Sequence, residues 1–202
     1  MLARLGIPAG RDAVARLRGH LDLLLRWNAR MNLTAVRDPE EIIERHFGES
    51  LLLTKAIPLG CGLLYDVGAG AGFPSLPVKA VHPEIRLVLV DSSQKKAAFL
   101  KEVVRAWGIA GIRVEAARFE DLVRRTEVEL ADWVTARAVG DLEDLLDSAR
   151  RALVPHGQVA LFLGEHDAVQ IAASAPSFAW KPLFHIPGTE RRVILVGESR
   201  GA

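Results

Sequence analysis

Glycine alternates with small residues in Asp66-Val67-Gly68-Ala69-Gly70-Ala71-Gly72-Phe73-Pro74, between a short apolar run and a helical pattern. Glycines at 68, 70 and 72 let the chain turn sharply and bring its backbone close to a ligand. The amides that open the following helix offer donors to an electron-rich group. A dinucleotide fingerprint, G-x-G-x-x-G, would put its last glycine at 73, where Phe73 stands instead. A tight strand-to-helix turn with no ligand is the plain alternative, and three alternating glycines argue against it. Asp91 ends the next apolar run, 23 residues after Gly68. A carboxylate there can accept from both hydroxyls of a ribose and would repel a 2′-phosphate. It equally caps the helix that starts near Gln94. Arg118-Phe119-Glu120 and Thr135-Ala136-Arg137-Ala138 close two further strand-like runs. Phe119 offers an apolar surface to a flat ring, or is simply a core residue beside a helix-capping Glu120. Arg137, at the end of a buried run, points into the cleft where open α/β sheets bind ligands.

These residues need elements to position them. Residues 63–67, 86–91, 113–117, 132–136 and 158–163 read as strands, with helical patterns at about 74–82, 94–107, 120–125, 141–153 and 166–173. Such alternation predicts an α/β fold, a mostly parallel doubly wound sheet with helices on both faces. Residues 180–186 and 191–197, joined by Pro187-Gly188-Thr189-Glu190, read as a closing antiparallel hairpin, giving seven strands in all. Residues 1–60 are expected to form an N-terminal helical extension and 61–202 the ligand-binding domain. In the extension, Leu17, Leu21, Leu24, Leu25 and Met31 mark an apolar helix face. Asp38-Pro39-Glu40-Glu41 then starts a second helix running to about Lys55.

An acid two residues ahead of G-x-G-x-G resembles motif I of the Rossmann-like class I S-adenosylmethionine methyltransferases. Asp66 suits a ligand with an ammonium and a sulfonium better than one with a pyrophosphate. The chain further resembles the bacterial glucose-inhibited division protein B family, methyltransferases acting on N7 of a guanosine in 16S ribosomal RNA. The matching residues are Trp27-Asn28, Asn32-Leu33-Thr34-Ala35-Val36-Arg37-Asp38-Pro39, Arg45-His46, Asp66 to Pro74, Pro77, Asp91-Ser92, Lys96, Phe99-Leu100, Arg118-Phe119-Glu120 and Arg137-Ala138. The resemblance implies S-adenosylmethionine as cofactor, lined by Asp66, Gly68, Gly70, Gly72, Phe73, Asp91, Ser92, Ser93, Phe119, Glu120 and Arg137. It puts Asn32, Arg37, His46 and Arg137 at the mouth where RNA arrives, with Arg137 as the catalytic, positioning group. Ala136, Leu163 and Glu49 stand where the family usually has Ser, Lys and Asp.

Guanine N7 is a bare lone pair, so its methylation needs no general base, and proximity and orientation carry the rate. The net charge of +1 excludes a uniformly basic binder. Local basic patches remain: seven arginines face only Asp12 and Asp22 in residues 1–37, and Lys95, Lys96, Lys101 and Arg105 line a later helix. Such patches suit phosphate backbones, though a charged helix face is more often merely solvated. Half of the residues are hydrophobic, enough for a sizeable core, and a single cysteine, Cys61, excludes an internal disulfide or a cysteine-based zinc site. No run approaches a membrane span and no metal spacing is seen. A cytoplasmic monomer acting on 16S ribosomal RNA or the small-subunit particle is expected. The rivals are a small-molecule methyltransferase of the same fold and an RNA- or ribosome-binding module with lapsed catalysis. A nicotinamide enzyme is disfavoured by Phe73.

Overall fold

The computed structural model describes residues 1–125 and 128–200. Strands β1 (Leu63–Val67), β2 (Arg86–Val90), β3 (Ile112–Glu115), β4 (Ala131–Arg137) and β5 (Leu153–Gly164) form the parallel part of one sheet, with β3 at its edge. To these are added β6 (Phe178–Trp180), β7 (Phe184–His185) and β8 (Arg192–Ser199). The order is β3-β2-β1-β4-β5-β8-β6, with β7 also on β8. The fold is the expected α/β one with a mostly parallel sheet, but eight strands occur among the described residues rather than seven. The run 180–186 is broken because Pro182 has no N–H to donate. Two short strands, β6 and β7, therefore pair separately with β8. β8 itself lies between β5 and β6, so the closing strand is internal and not at the sheet edge.

Every residue of β1 is buried, as a central parallel strand covered on both faces requires. The helices α6 (Ser75–Val81) and α7 (Gln94–Trp107) share a hydrophobic cluster with one face of the sheet, and α8 (Phe119–Val123), α9 (Leu142–Ala152) and α10 (Glu165–Ser174) share another. Ser93 accepts from the Lys96 amide at the start of α7, and Gly108 in the left-handed region ends it.

The N-terminal residues form α1 (Leu2–Leu5), α2 (Arg11–Met31) and a nearly continuous helical run from Pro39 to Ala56. The run comprises α3 (Pro39–Ile42), a π-helical turn (Ile43–Gly48), α4 (Glu49–Leu51) and α5 (Leu53–Ala56). Asp38 caps it by accepting from the Glu41 amide, and Pro39 stands in the first turn. The buried stripe of α2 is Ala13, Leu17, His20, Leu23, Leu24 and Asn28. This face is rotated from the one the leucines suggest, since Leu21, Leu25 and Met31 are only partly buried and two polar residues lie inside. The stripe joins the same cluster as Leu64, Leu76, Leu87 and Phe99. Among the described residues no helix is long and apolar enough to cross a membrane. Leu24 is wholly buried, so Leu24→Ala is expected to lower the unfolding free energy by about 3 kcal/mol in urea titrations.

Candidate active site

Register brings the strand ends together. Val67 of β1 pairs with Val90 of β2 and Ala136 of β4. Gly68, Asp91 and Arg137 are the next residues of those three strands. The chain order reverses between β1 and β4, which is where open α/β sheets bind ligands. The loop after β1 is tied down by its backbone. The Gly68 and Ala69 amides donate to the Val90 carbonyl at 2.9 and 3.0 Å, and the Gly72 amide donates to the Ala69 carbonyl at 2.6 Å. The loop is also tied by Asp91, whose Oδ2 accepts from the Gly70 amide and whose Oδ1 accepts from the Ser93 amide, each at 2.9 Å. Lys96 Nζ stands 4.0 Å from Asp91 Oδ2. Gly72 has φ +87°, and a Cβ there would overlap Leu76. At Gly68, with φ +68°, a Cβ would meet Val139 Cγ2 at 3.0 Å. Val139 follows Ala138, which itself has a positive φ of 57°.

Asp66 is wholly buried at the end of β1. Its Oδ2 accepts from the Ser75 amide at 3.2 Å, and its Oδ1 has no hydrogen-bond partner among the described residues. Burial pushes this carboxyl up to about 7, against the Ser75 hydrogen bonds.

Two aromatic residues face away from this cradle. Phe73 is buried, its ring stacked on His20 and His46 with centroids 5.0 Å from each, and edge-on to Phe47. Phe119 is buried against Tyr65 in the opposite cluster. Both rings are thus taken up by the core. Glu120 lies partly exposed in the first turn of α8, and Ser92 is exposed beside Asp91.

Arg137 does not hang free in the cleft. Its Nη2 donates to Glu49 Oε2 at 3.0 Å and to the Arg45 carbonyl at 2.9 Å, and its Cζ lies 5.8 Å from the Phe162 ring centre. Arg192 of β8 also reaches Glu49, with Nη1 at 2.7 Å from Oε1. Glu49 is 6 % exposed. Burial pushes its carboxyl up, the surrounding arginines hold it down, and two guanidinium contacts favour the anion. The π-turn makes this possible. The Glu49 amide reaches back to the Glu44 carbonyl, which leaves the Arg45 carbonyl for Arg137.

The segment from Asn28 to His46 is a second hydrogen-bonded unit. Asn28 Oδ1 accepts from the Thr34 amide at 2.9 Å, and Thr34 Oγ1 lies 2.7 Å from His46 Nε2. Arg37 donates to the Asn28 carbonyl at 3.0 Å and to Asn32 Oδ1 at 2.7 Å. Burial, followed by the charges of Arg137 and Arg45, holds His46 down at about 4, so the ring is neutral at pH 7. Asn32, Arg37 and His46 therefore belong to one hydrogen-bonded unit, while exposed Lys95 and half-exposed Lys96 lie in the first turn of α7, which follows Asp91. The roles that sequence reasoning missed are those of Glu49 as the hub, of Asn28 and His20 as buried polar residues, and of half-buried Thr34 as the link to His46. Asn28 and His20 fall in the buried stripe of α2, which its docking and not the leucine spacing defines.

A concavity of about 480 Å³ at the ends of β4 and β5 is lined by Ala138, Val139, Phe162 and Leu163. A larger one, of about 630 Å³, lies around Trp27 and Glu102 and includes no glycine-loop residue. Among the described residues no cluster of three or more His, Cys, Asp or Glu could hold a metal ion. Glu49→Gln leaves two guanidiniums without their counter-charge, and a loss of about 3 kcal/mol in unfolding free energy is expected in denaturant titrations.

Known proteins share both the sequence and this architecture. The chain is 39% identical over 172 residues to ribosomal RNA small subunit methyltransferase G of Myxococcus xanthus, covering 85% of this chain and 79% of that one. It is 34% identical to the protein of the same name from Syntrophotalea carbinolica, covering 100% of this chain and 96% of that one. Among solved structures, a SAM dependent methyltransferase from Aquifex aeolicus aligns with TM-score 0.63 at 12% identity, over 80% of this chain and 94% of that one. TrmN from Thermus thermophilus aligns with TM-score 0.59 at 22% identity, over 74% of this chain and 48% of that one. These two likenesses show the Rossmann-like methyltransferase fold. The family model for GidB, rRNA small subunit methyltransferase G, matches residues 13–186, and the chain belongs to that family.

Proposed function

We propose that this chain transfers the methyl group of S-adenosylmethionine to N7 of a guanosine in 16S ribosomal RNA, as a cytoplasmic monomer. Family membership makes it an rRNA small-subunit methyltransferase. The observation that carries the finer reading is the junction of Asp66, the glycine turn and Asp91 at the strand-order reversal. The residues present fit the cofactor. Asp66 keeps one buried carboxylate oxygen without a partner, which suits an ammonium. Asp91 spends one acceptor site of each oxygen on the Gly70 and Ser93 amides and retains lone pairs for ribose hydroxyls. Asp66, Gly68, Gly70, Gly72, Asp91 and Ser93 would hold the cofactor, with Ser92 and Glu120 at the rim. Phe73 and Phe119 act from behind, as packing.

When bound, S-adenosylmethionine supplies an electrophilic methyl on a sulfonium. Guanine N7 carries no proton, so no side chain has to remove one, and the task left to the chain is orientation. The polar groups nearby accord with that. His46 is bonded to Thr34 and Arg137 to Glu49, so each shapes the cleft and neither is offered as a base. Arg137, expected as the catalytic group in a positioning role, keeps that positioning role on this reading. On the RNA side, Lys95 and Lys96 meet phosphates, and Asn32, Arg37 and His46 fix the loop at the mouth.

The decisive assay is transfer of labelled methyl into small-subunit particles or 16S ribosomal RNA from a strain lacking this modification. Label in 7-methylguanosine at a single site is expected; label in another base, or none, would overturn the reading. A second expectation concerns pH. A cationic ligand prefers ionised Asp66, whose carboxyl sits at about 7 without it. Binding below that value must release a proton, so affinity is expected to fall by about tenfold per pH unit below 7 and to level off above 8. Calorimetry across pH in two buffers reads this directly, and Asp66→Asn should abolish the dependence.

A further inference from the structure

His20 is a buried, titratable side chain that the reaction above does not use. It sits on α2, yet it touches the glycine loop. Its Nε2 lies 2.7 Å from the Ala71 carbonyl. A carbonyl only accepts, so Nε2 carries the proton and donates. The ring stacks on Phe73 at 5.0 Å and 23°. A Cβ on Gly72 would lie 3.4 Å from its Cε1. The peptide between Ala71 and Gly72 is thus held at both ends, its carbonyl by His20 and its N–H by the Ala69 carbonyl at 2.6 Å.

This position is not chosen for stability. The rest of the stripe on α2 is mainly apolar, and an apolar residue would fill the site without polar atoms to satisfy. His20 instead leaves Nδ1 buried and without a hydrogen-bond partner among the described residues. A buried polar atom left unpaired is costly, and residues that break a local rule tend to serve a site. Burial holds the imidazole down at about 4, so it stays neutral and keeps one tautomer at physiological pH.

We propose that His20 is a positioning residue for cofactor binding: by its hydrogen bond to Ala71 it sets the orientation of the glycine-loop peptides from the N-terminal helical layer. This rests on the reading of the loop as the S-adenosylmethionine site. Loss of the donor frees the Ala71 carbonyl to turn, and the cradle loses its preformed shape.

The test compares His20→Phe, which keeps the ring and removes the donor, with His20→Gln, which keeps an N–H donor and removes the ring. Calorimetric Kd for S-adenosylmethionine and steady-state KM for both substrates are measured on the full chain. For H20F the cofactor Kd and KM are expected to rise about tenfold, with the KM for RNA within twofold, and H20Q is expected to recover most of the loss. An unchanged cofactor Kd in a folded H20F overturns the proposal, as does an equal rise in both KM values. A wild-type chain that binds no S-adenosylmethionine overturns the cofactor reading itself, which separates the two failures. If H20F does not fold, nitrogen NMR of wild-type His20 decides. A protonated, hydrogen-bonded Nε2 that shifts on adding S-adenosylmethionine supports the proposal, and an imidazole unmoved by the cofactor overturns it.

Discussion

The parallel pairing of β1 with β2 on one side and β4 on the other is the constraint on which the rest depends. It sets Val67 level with Val90 and Ala136, so the next residue on each strand arrives at the same edge. A slip of one position would turn each side chain to the opposite face. The acid at the end of β1 would then leave the junction, and the loop amides would lose the Val90 carbonyl. Burial on both faces fixes that register, because all five residues of β1 are inside.

The N-terminal helices are built onto this junction through polar contacts as well as apolar ones. Glu49 gathers one arginine from β4 and one from β8. His46 and His20 flank the ring of Phe73, which belongs to the glycine loop. The helical layer therefore completes the site from behind. Buried ion pairs and neutral imidazoles are poor sources of net stability, but they fix geometry where an apolar contact would allow sliding.

Much of this was readable in the residues. Strand–helix alternation gave the sheet, the glycine spacing gave the loop, and Asp66, Asp91 and Arg137 could be placed at strand ends from the pattern of buried runs. Side-chain direction could not be read in the same way. Phe73 and Phe119 adjoin the cradle in sequence, yet each ring turns into a different core cluster, a choice made by packing partners far along the chain. Arg137 was legible as a residue at the cleft, but its partner Glu49 is 88 positions away. Nor does a leucine count reveal that the buried face of α2 includes His20 and Asn28, because a helix face is set by what it docks against. Pro182 carried a local signal for the split strand.

The π-turn at Ile43–Gly48 has a consequence for how such a chain can vary. A π-turn is in effect one residue inserted into an α-helix, and each residue advances the helical phase by about 100°. Deleting one residue there would restore a regular helix and leave the segments on either side nearly in phase. Glu49 would keep its direction, but a regular ladder uses every carbonyl of the run and leaves none for Arg137 Nη2. A change of length in this stretch is thus felt first in the bond between Arg137 and the helix backbone, and only second in the packing of Ile42 and Phe47.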